Sequence, residues 1–395
     1  MMDNNYCALL WNHFVQLQDE SLARPCCLQK SRFKVSNNIK ETGNSELLKS
    51  LRKQVLENDL PLPGCEECYM EEKAKNTSAR IESNRIWQDK KDTYIKNTQE
   101  DGTYENFYLE RLDIRWSNLC NYKCRFCSLT SSSSWLQDHL IKYDLLEGYN
   151  PKTGVKEAVI DWWDLKKHLP HVRYVKLAGG EPFMMDGTYR LIEELIRLKK
   201  FDTRILVNTN ASFVMHGNKN IIGMLKNFKN VNISLSIDGM NDVHGYLRSG
   251  KNDWIKVRDN IEKFIDSGLS VSFLSSVSWL NAIHMIKLLE TYNNVEIEFN
   301  SVTTPKFMSL GYLTRSQFKQ VLKAVEDGKI TDKIKIKYKR WLKKLYVQTI
   351  INGKKKTELD NEFLFYINKL DETRKQNFCE TFPEWKDIYE EVNSV

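Results

Sequence analysis

Cys120-Asn121-Tyr122-Lys123-Cys124-Arg125-Phe126-Cys127 is the stretch on which the reading of this chain turns. Three thiols fall within eight residues at the spacing C-x3-C-x2-C, directly after an extended-looking run from Leu112 to Trp116. Thiolate sulfur suits soft iron, and a complete 4Fe–4S site takes four Cys ligands. Three ligands from one loop would leave one iron open to a substrate or cofactor. Offsets of four and seven also place side chains on one face of a helix, so three small buried core cysteines are the plain alternative. Asn118, Asn121, Lys123 and Arg125 argue for a loop instead. Zinc is the other metal that the spacing allows.

Downstream of this loop the chain alternates short β-branched runs with amphipathic ones. Strands are expected over Tyr108–Trp116, Val172–Ala178, Arg204–Asn208, Val231–Ile237, Ser270–Val277 and Val295–Asn300. Helices are expected between them, over Tyr189–Leu198, Ile221–Phe228, Trp254–Ile265 and Ala282–Thr291. Six strands alternating with helices argue for an α/β fold with a parallel sheet and right-handed crossovers. In α/β barrels the chemistry gathers at the C-terminal ends of the strands.

Several motifs lie at such ends. Gly179-Gly180-Glu181-Pro182 follows the second strand; two glycines let a ligand approach the backbone, and a carboxylate beside them can accept from an ammonium group. A plain strand-to-helix turn would use the same residues. Asn208-Thr209-Asn210 ends the third strand, where Asn either caps the next turn or meets a ligand. In Ser234-Leu235-Ser236-Ile237-Asp238-Gly239, Ser236 and Asp238 share one face of a strand and suit a ribose. Arg248 follows, and a guanidinium there either grips a carboxylate through two parallel bonds or makes a surface ion pair.

A second cysteine set lies near the N-terminus: Cys7, the pair Cys26-Cys27, and Cys65-Glu66-Glu67-Cys68 after Leu62-Pro63-Gly64. A C-x2-C turn of this kind presents two thiolates to one metal, and Cys7 with one of the pair completes four ligands. A closed zinc site and an iron–sulfur cluster both fit that set. An amphipathic helix is expected over Leu47–Leu56, and one long polar helix from Glu71 to about Lys96. Asp101-Gly102 marks a turn and a domain boundary.

Taken together, the cysteine loop with Phe126 before its third Cys, the GGEP motif and the S-x-D-G motif followed by Arg resemble the radical S-adenosylmethionine (SAM) enzymes. The resemblance implies a partial (β/α)6 TIM-like barrel over residues 106–305, with a module at 1–105 before it and a helical extension at 306–395 after it. It implies a 4Fe–4S cluster on Cys120, Cys124 and Cys127, with SAM at its open iron. Phe126, Gly179, Gly180, Glu181, Asn210, Ser236, Asp238 and Arg248 would contact SAM: Glu181 its amino group, Arg248 its carboxylate, Ser236 and Asp238 its ribose. Reductive cleavage would then yield a 5′-deoxyadenosyl radical that abstracts hydrogen from a substrate. The N-terminal set, with Pro25 ahead of the Cys pair, resembles the twitch-type auxiliary module, a short relative of SPASM. On that resemblance Cys7, Cys26, Cys65 and Cys68 hold a second 4Fe–4S cluster, Cys26 being chosen over Cys27. Here the module precedes the barrel, and Asp19-Glu20-Ser21 stands where the family tends to have Gly.

Composition bounds the rest. A chain of 395 residues suits two domains, or a barrel with attachments. No apolar run approaches the roughly 20 residues of a membrane helix. Met1-Met2-Asp3-Asn4-Asn5 lacks the features of a signal peptide, so a cytoplasmic protein is expected. Nine cysteines in such a compartment point to metal rather than to disulfides. The net charge of +7 owes much to Lys333–Lys356, read as a solvated face or as a surface for an acidic partner. Cys379 stands alone and reads as an inert thiol. The expected activity is modification or oxidation of a peptide or protein, or else dehydrogenation of a small molecule such as an amino sugar. Either needs an external one-electron donor of the flavodoxin or ferredoxin kind. The reading of another class is a non-catalytic module, zinc- or cluster-stabilised, that binds protein or nucleic acid. No separate RNA-binding module is visible, so nucleic acid is not an expected partner.

Overall fold

Six of the β-branched runs form strands in the computed structural model, which describes residues 6–16, 22–36, 38–57, 61–138, 149–158, 161–249, 254–351 and 354–393. They are β1 (Arg111–Ile114), β2 (Tyr174–Leu177), β3 (Arg204–Thr209), β4 (Asn230–Leu235), β5 (Ser270–Val277) and β6 (Glu296–Ser301). β1–β2, β2–β3, β4–β5 and β5–β6 all pair in parallel. The amide of Ser236, just past β4, donates to the carbonyl of Thr209, the last residue of β3, at 2.8 Å. With helices between the strands this is an α/β fold, the partial (β/α)6 barrel, followed by a helical C-terminal region. Asp19-Glu20-Ser21 lies outside the described residues.

The contacts divide the chain into two interleaved units: 1–117, 156–207 and 223–231 form one, and 118–155, 208–222 and 232–395 the other. In the first, alternation along β1 to β3 buries Leu112, Ile114, Val175, Leu177, Ile205 and Val207. The helix Asp186–Arg197 adds Leu191, Ile192 and Leu195, spaced for one face. Each such side chain contributes about 1.5–3 kcal/mol by leaving water.

Two features of this unit differ from the sequence reading. Three short strands, Val15–Gln16, Leu22–Arg24 and Phe33–Lys34, extend the sheet: Val15 pairs in parallel with Asp113, and the rest are antiparallel. Strands of two or three residues are too short to show a period. The long helix expected from Glu71 is broken into Glu66–Lys73, Ala79–Ile86 and Lys91–Lys96. Lys75 takes φ +61°, and Ser78 caps the second helix by accepting from the amide of Ile81. Such a cap favours a new start over continuation.

The second unit holds β5, β6 and the C-terminal helices Arg315–Asp327, Asp332–Thr349 and Lys354–Arg374. Most of the basic stretch is thus the helix Asp332–Thr349, which buries Tyr338, Leu342, Leu345 and Tyr346 and leaves Lys333, Lys337, Arg340, Lys343 and Lys344 exposed. At the centre sits Trp279, fully buried, with the rings of Tyr312, Phe363 and Trp385 each 5.6 Å away. Its indole N–H donates to the Phe307 carbonyl at 2.7 Å. Among the described residues no helix is long and apolar enough to cross a membrane.

Trp279→Ala removes the ring against which Tyr312, Phe363 and Trp385 pack, and should lower stability by about 3–5 kcal/mol in denaturant titration. A second expectation concerns pH. His168 accepts from the amide of Leu109 at 3.2 Å, so its ring is neutral, and burial lowers its pKa to about 4. An unfolded His titrates near 6.5. Between these values the unfolded chain binds the extra proton, so this contribution is complete above pH ~6.5 and fades as pH falls toward about 4. Urea midpoints at pH 7 and pH 5 should differ less in His168→Asn than in the parent chain.

Candidate active site

Residues 117–132 form a loop without helix, so the three thiols do not lie on a helix face. Side chains of the serine run brace it. Ser133 Oγ accepts from the Cys120 amide at 3.3 Å, Ser134 Oγ donates to the Cys120 carbonyl at 2.7 Å, and Ser132 Oγ donates to the Tyr122 carbonyl. Trp135 donates its indole N–H to the Cys124 carbonyl at 3.2 Å. Asn118, fully buried, donates to the carbonyls of Leu129 at 2.7 Å and Gly154 at 2.8 Å.

The residue that holds the loop most firmly is Arg125. Polar character suggested a loop there; the structure buries the side chain completely. Its guanidinium donates to the Tyr246 carbonyl at 3.1 Å, to Asp371 Oδ1 at 2.5 Å and to Gln376 Oε1 at 3.0 Å. It also lies 3.6 Å above the Tyr246 ring. Its own carbonyl accepts from the Tyr366 hydroxyl at 2.5 Å. Gln376 accepts from Ser249 and donates to the Gly245 carbonyl, which ties the same network to the turn carrying Arg248. Asp138, also buried, is paired by Arg374 at 3.1 Å and Lys123 at 3.5 Å. Sequence reasoning missed Asp371, Arg374 and Gln376 as supports of the loop. The only available signal was a long cation between two cysteines, which needs a partner if buried.

The second unit brings Asn210, Asp238 and Arg248 to the cysteine loop. Asn210 donates to Asn121 Oδ1 at 2.9 Å and lies 3.9 Å from Cys120 Sγ. Arg248 Nη1 lies 3.9 Å from Cys124 Sγ, and Arg248 Nε is 2.6 Å from Asp238 Oδ2. Asp238 also accepts from the Ser276 amide at 2.6 Å. Asp238 therefore orients Arg248 in this structure, and Ser236 sits just past the end of β4. The thiol of Cys127 hydrogen-bonds Cys124 and, with Arg248, holds the Cys124 thiol low; the same bond and burial push Cys127 well up. Phe126 and Cys127, with Trp135, Pro305 and Tyr366, line a cavity of about 520 Å³.

In the first unit the backbone at Gly179 has φ +122°, a conformation that favours glycine, and Gly180 donates to the Ser117 carbonyl at 3.2 Å. Glu181 is fully buried and accepts from the Phe183 amide at 3.1 Å, capping the short turn Pro182–Met184.

The same unit gathers the N-terminal thiols. Burial pushes Cys7 far up, and Cys26, Cys65 and Cys68 add to it. Burial and neighbouring thiols likewise raise Cys26 to about 11 and Cys65 to about 12. Cys27 is exposed. Gly64 turns with φ +77° against Gln29, whose amide donates to the Pro63 carbonyl at 2.5 Å. Cys65 then stands at the N-cap position of the helix Glu66–Lys73, without a side-chain capping bond, and Cys68 lies in its first turn. Among the described residues no three His, Cys, Asp or Glu side chains converge as a finished metal site. Three thiols share one braced loop with a guanidinium at Cys124, and four others lie within electrostatic reach of one another.

Residues 114–292 match the family model described as the radical SAM superfamily. That class of domain uses SAM and a 4Fe–4S cluster. Among curated proteins, the GTP 3',8-cyclase of Campylobacter curvus is 24% identical over 58% of this chain and 64% of its own length. The sporulation killing factor maturation protein SkfB of Bacillus subtilis is 21% identical over 49% of this chain and 42% of its own. The chain thus spans less than two thirds of either relative. Among solved structures, Streptococcus suis SuiB bound to precursor peptide SuiA aligns over 80% of this chain and 72% of that one, with 14% identity and a TM-score of 0.38.

Asp371→Ala leaves Arg125 buried without its carboxylate. Breaking such a pair costs about 3–5 kcal/mol. The variant should unfold at lower denaturant concentration, and its cysteine loop should react faster with a thiol reagent under native conditions.

Proposed function

We propose that Cys120, Cys124 and Cys127 hold a 4Fe–4S cluster to which SAM binds, and that the chain is an enzyme modifying or oxidising a peptide or protein. The observation that carries this reading is the three-cysteine loop, inside the span that matches the radical SAM family, with Arg248 beside Cys124. The bound cluster and SAM would supply one-electron reductive cleavage and a carbon radical able to take hydrogen from substrate. The chain's own residues do the rest. Arg248, oriented by Asp238, offers a guanidinium to a carboxylate, and buried Glu181 offers an acceptor to an ammonium group. Gly179 and Gly180 let the ligand approach the backbone, while Asn210 and Ser236 add polar contacts and Phe126 an apolar one. Trp135 and the Arg125 network keep the loop in one shape and exclude water.

Cys7, Cys26, Cys65 and Cys68 are proposed to hold a second, auxiliary cluster, with Cys27 outside it. Peptide or protein as substrate is supported by the resemblance to the sporulation killing factor maturation protein. A small-molecule substrate is the second reading, favoured by the likeness to the GTP 3',8-cyclase. An external one-electron donor of the flavodoxin or ferredoxin kind would serve either.

Anaerobically prepared protein should carry about eight irons, as two such clusters require. Changing Cys120, Cys124 and Cys127 together to Ala should remove about half of them, and Cys26→Ser should lose iron that Cys27→Ser keeps. Dithionite-reduced protein should release 5′-deoxyadenosine from SAM, and Glu181→Ala or Arg248→Ala should weaken SAM binding. Stoichiometric zinc with little iron after anaerobic reconstitution would refute the reading.

A further inference from the structure

The face of β1 and β2 opposite the apolar one carries charge. Directly paired residues of neighbouring strands point to the same side, so the pairings Arg24–Val15, Val15–Asp113, Asp113–Lys176 and Lys176–Leu206 define one row across the sheet. Arg111 stands two residues before Asp113 in the strand and shares that face, and Arg115, just past the end of β1, reaches the same carboxylate. Three cations, Arg111, Arg115 and Lys176, therefore flank one carboxylate, with Arg24 further along the row beyond Val15. In a (β/α) barrel the crossover helices cover the outside, so this face lines the interior.

The cations are not used up by Asp113. Its side chain is 1% exposed, with Oδ1 3.7 Å from Arg115 Nε and Oδ2 3.7 Å from Lys176 Nζ. Both distances exceed hydrogen-bonding range. Among the described residues, Asp113 Oδ1 and the Nε atoms of Arg24, Arg111 and Arg115 are buried without a hydrogen-bond partner. Four such atoms on one face are more than a folded interior leaves without reason. The foot of the face is closed instead. Arg111 lies 4.4 Å over the Tyr174 ring and donates to Ser83 Oγ at 3.3 Å, and Arg204 is 3.6 Å from Glu82. Arg115 follows the last residue of β1 and Lys176 lies near the C-terminal end of β2, where ligands of such barrels enter.

We propose that this row is a binding site for an anionic group of the substrate, a carboxylate or a phosphate, held between Arg115 and Lys176 with Arg24 behind. Guanidinium and ammonium donors favour an oxyanion, and Asp113 keeps the two cations apart and oriented. A ligand that is only cationic or apolar leaves the net positive face unmatched. The inference rests on the enzymatic reading above for the word substrate, while the anion site stands on its own geometry.

The test uses the full-length, cluster-loaded protein, with inorganic phosphate and glutarate as probes. Thermal stabilisation is followed against probe concentration at fixed ionic strength, since a ligand that binds the native state raises the midpoint. At least one probe should stabilise the parent chain, phosphate alone marking a phosphate substrate and glutarate alone a carboxylate. Lys176→Met and Arg115→Gln should each weaken that probe about tenfold, the loss expected for one charge-assisted hydrogen bond. Asp113→Asn should strengthen it, because one negative charge leaves the site; a row with a merely structural role gives no such rise. Equal stabilisation in the parent and the Lys176 and Arg115 variants, or none by either probe in the parent, overturns the proposal. Reductive SAM cleavage, measured without probe, reports on the enzymatic reading separately: its failure leaves a measured anion site intact, and its success does not rescue an absent one.

Discussion

A charge with nowhere to go organises the second unit. Arg125 sits inside the cysteine loop, is withdrawn from solvent, and cannot lose its proton. Leaving such a group alone would cost several kcal/mol, so the fold must bring it partners. It does so with Asp371 and Gln376, at and just beyond the C-terminal end of the helix Lys354–Arg374, and with the Tyr246 carbonyl and ring. The loop, the Arg248 turn and the C-terminal helix are thereby required to pack at one point. An apolar residue at position 125 would pack without imposing that geometry. The gain is in uniqueness of arrangement more than in stability, as is expected of a buried ion pair.

The same logic recurs around it. Arg374 pairs Asp138, lies 4.9 Å over Trp135, and Trp135 in turn donates to the Cys124 carbonyl. Every link is a cation, an aromatic face or a backbone carbonyl, so each is directional. A C-terminal region that looks dispensable in sequence is thus part of what shapes the loop.

How much of this was legible beforehand follows from the length scale of each signal. The six parallel strands and the helices Trp254–Ile265 and Asp186–Arg197 show their periods over enough residues to be read, with ends shifted by at most three positions and Ser270–Val277 and Trp254–Ile265 not at all. Val15–Gln16 and Leu22–Arg24 do not, because a two-residue strand has no period, and they are fixed by pairing with Asp113 and with each other. The cysteine spacing, GGEP and S-x-D-G were legible as motifs since their chemistry is local. Asp371 was not, because its role depends on meeting a residue 246 positions away.

Polar residues recur along β1 to β5, and their pattern does not say what the polar positions are for. In the second unit those residues are small and neutral: Ser234 pairs with Ser272, and Asn232 donates to Ser270. These side chains satisfy one another and close the face. On β2, on β1 and just past it, the same positions carry Arg111, Asp113, Arg115 and Lys176, too long and too unevenly charged to do so. A hydropathy pattern scores Ser and Arg alike as polar, so it cannot separate a closed face from an open one. The difference emerges only when register places the residues opposite one another, with Lys176 beside Asp113 and Arg24 in line beyond Val15. A strand that serves only its fold has no need of three unmatched guanidinium nitrogens, so the chemistry of a ligand is the account that fits them.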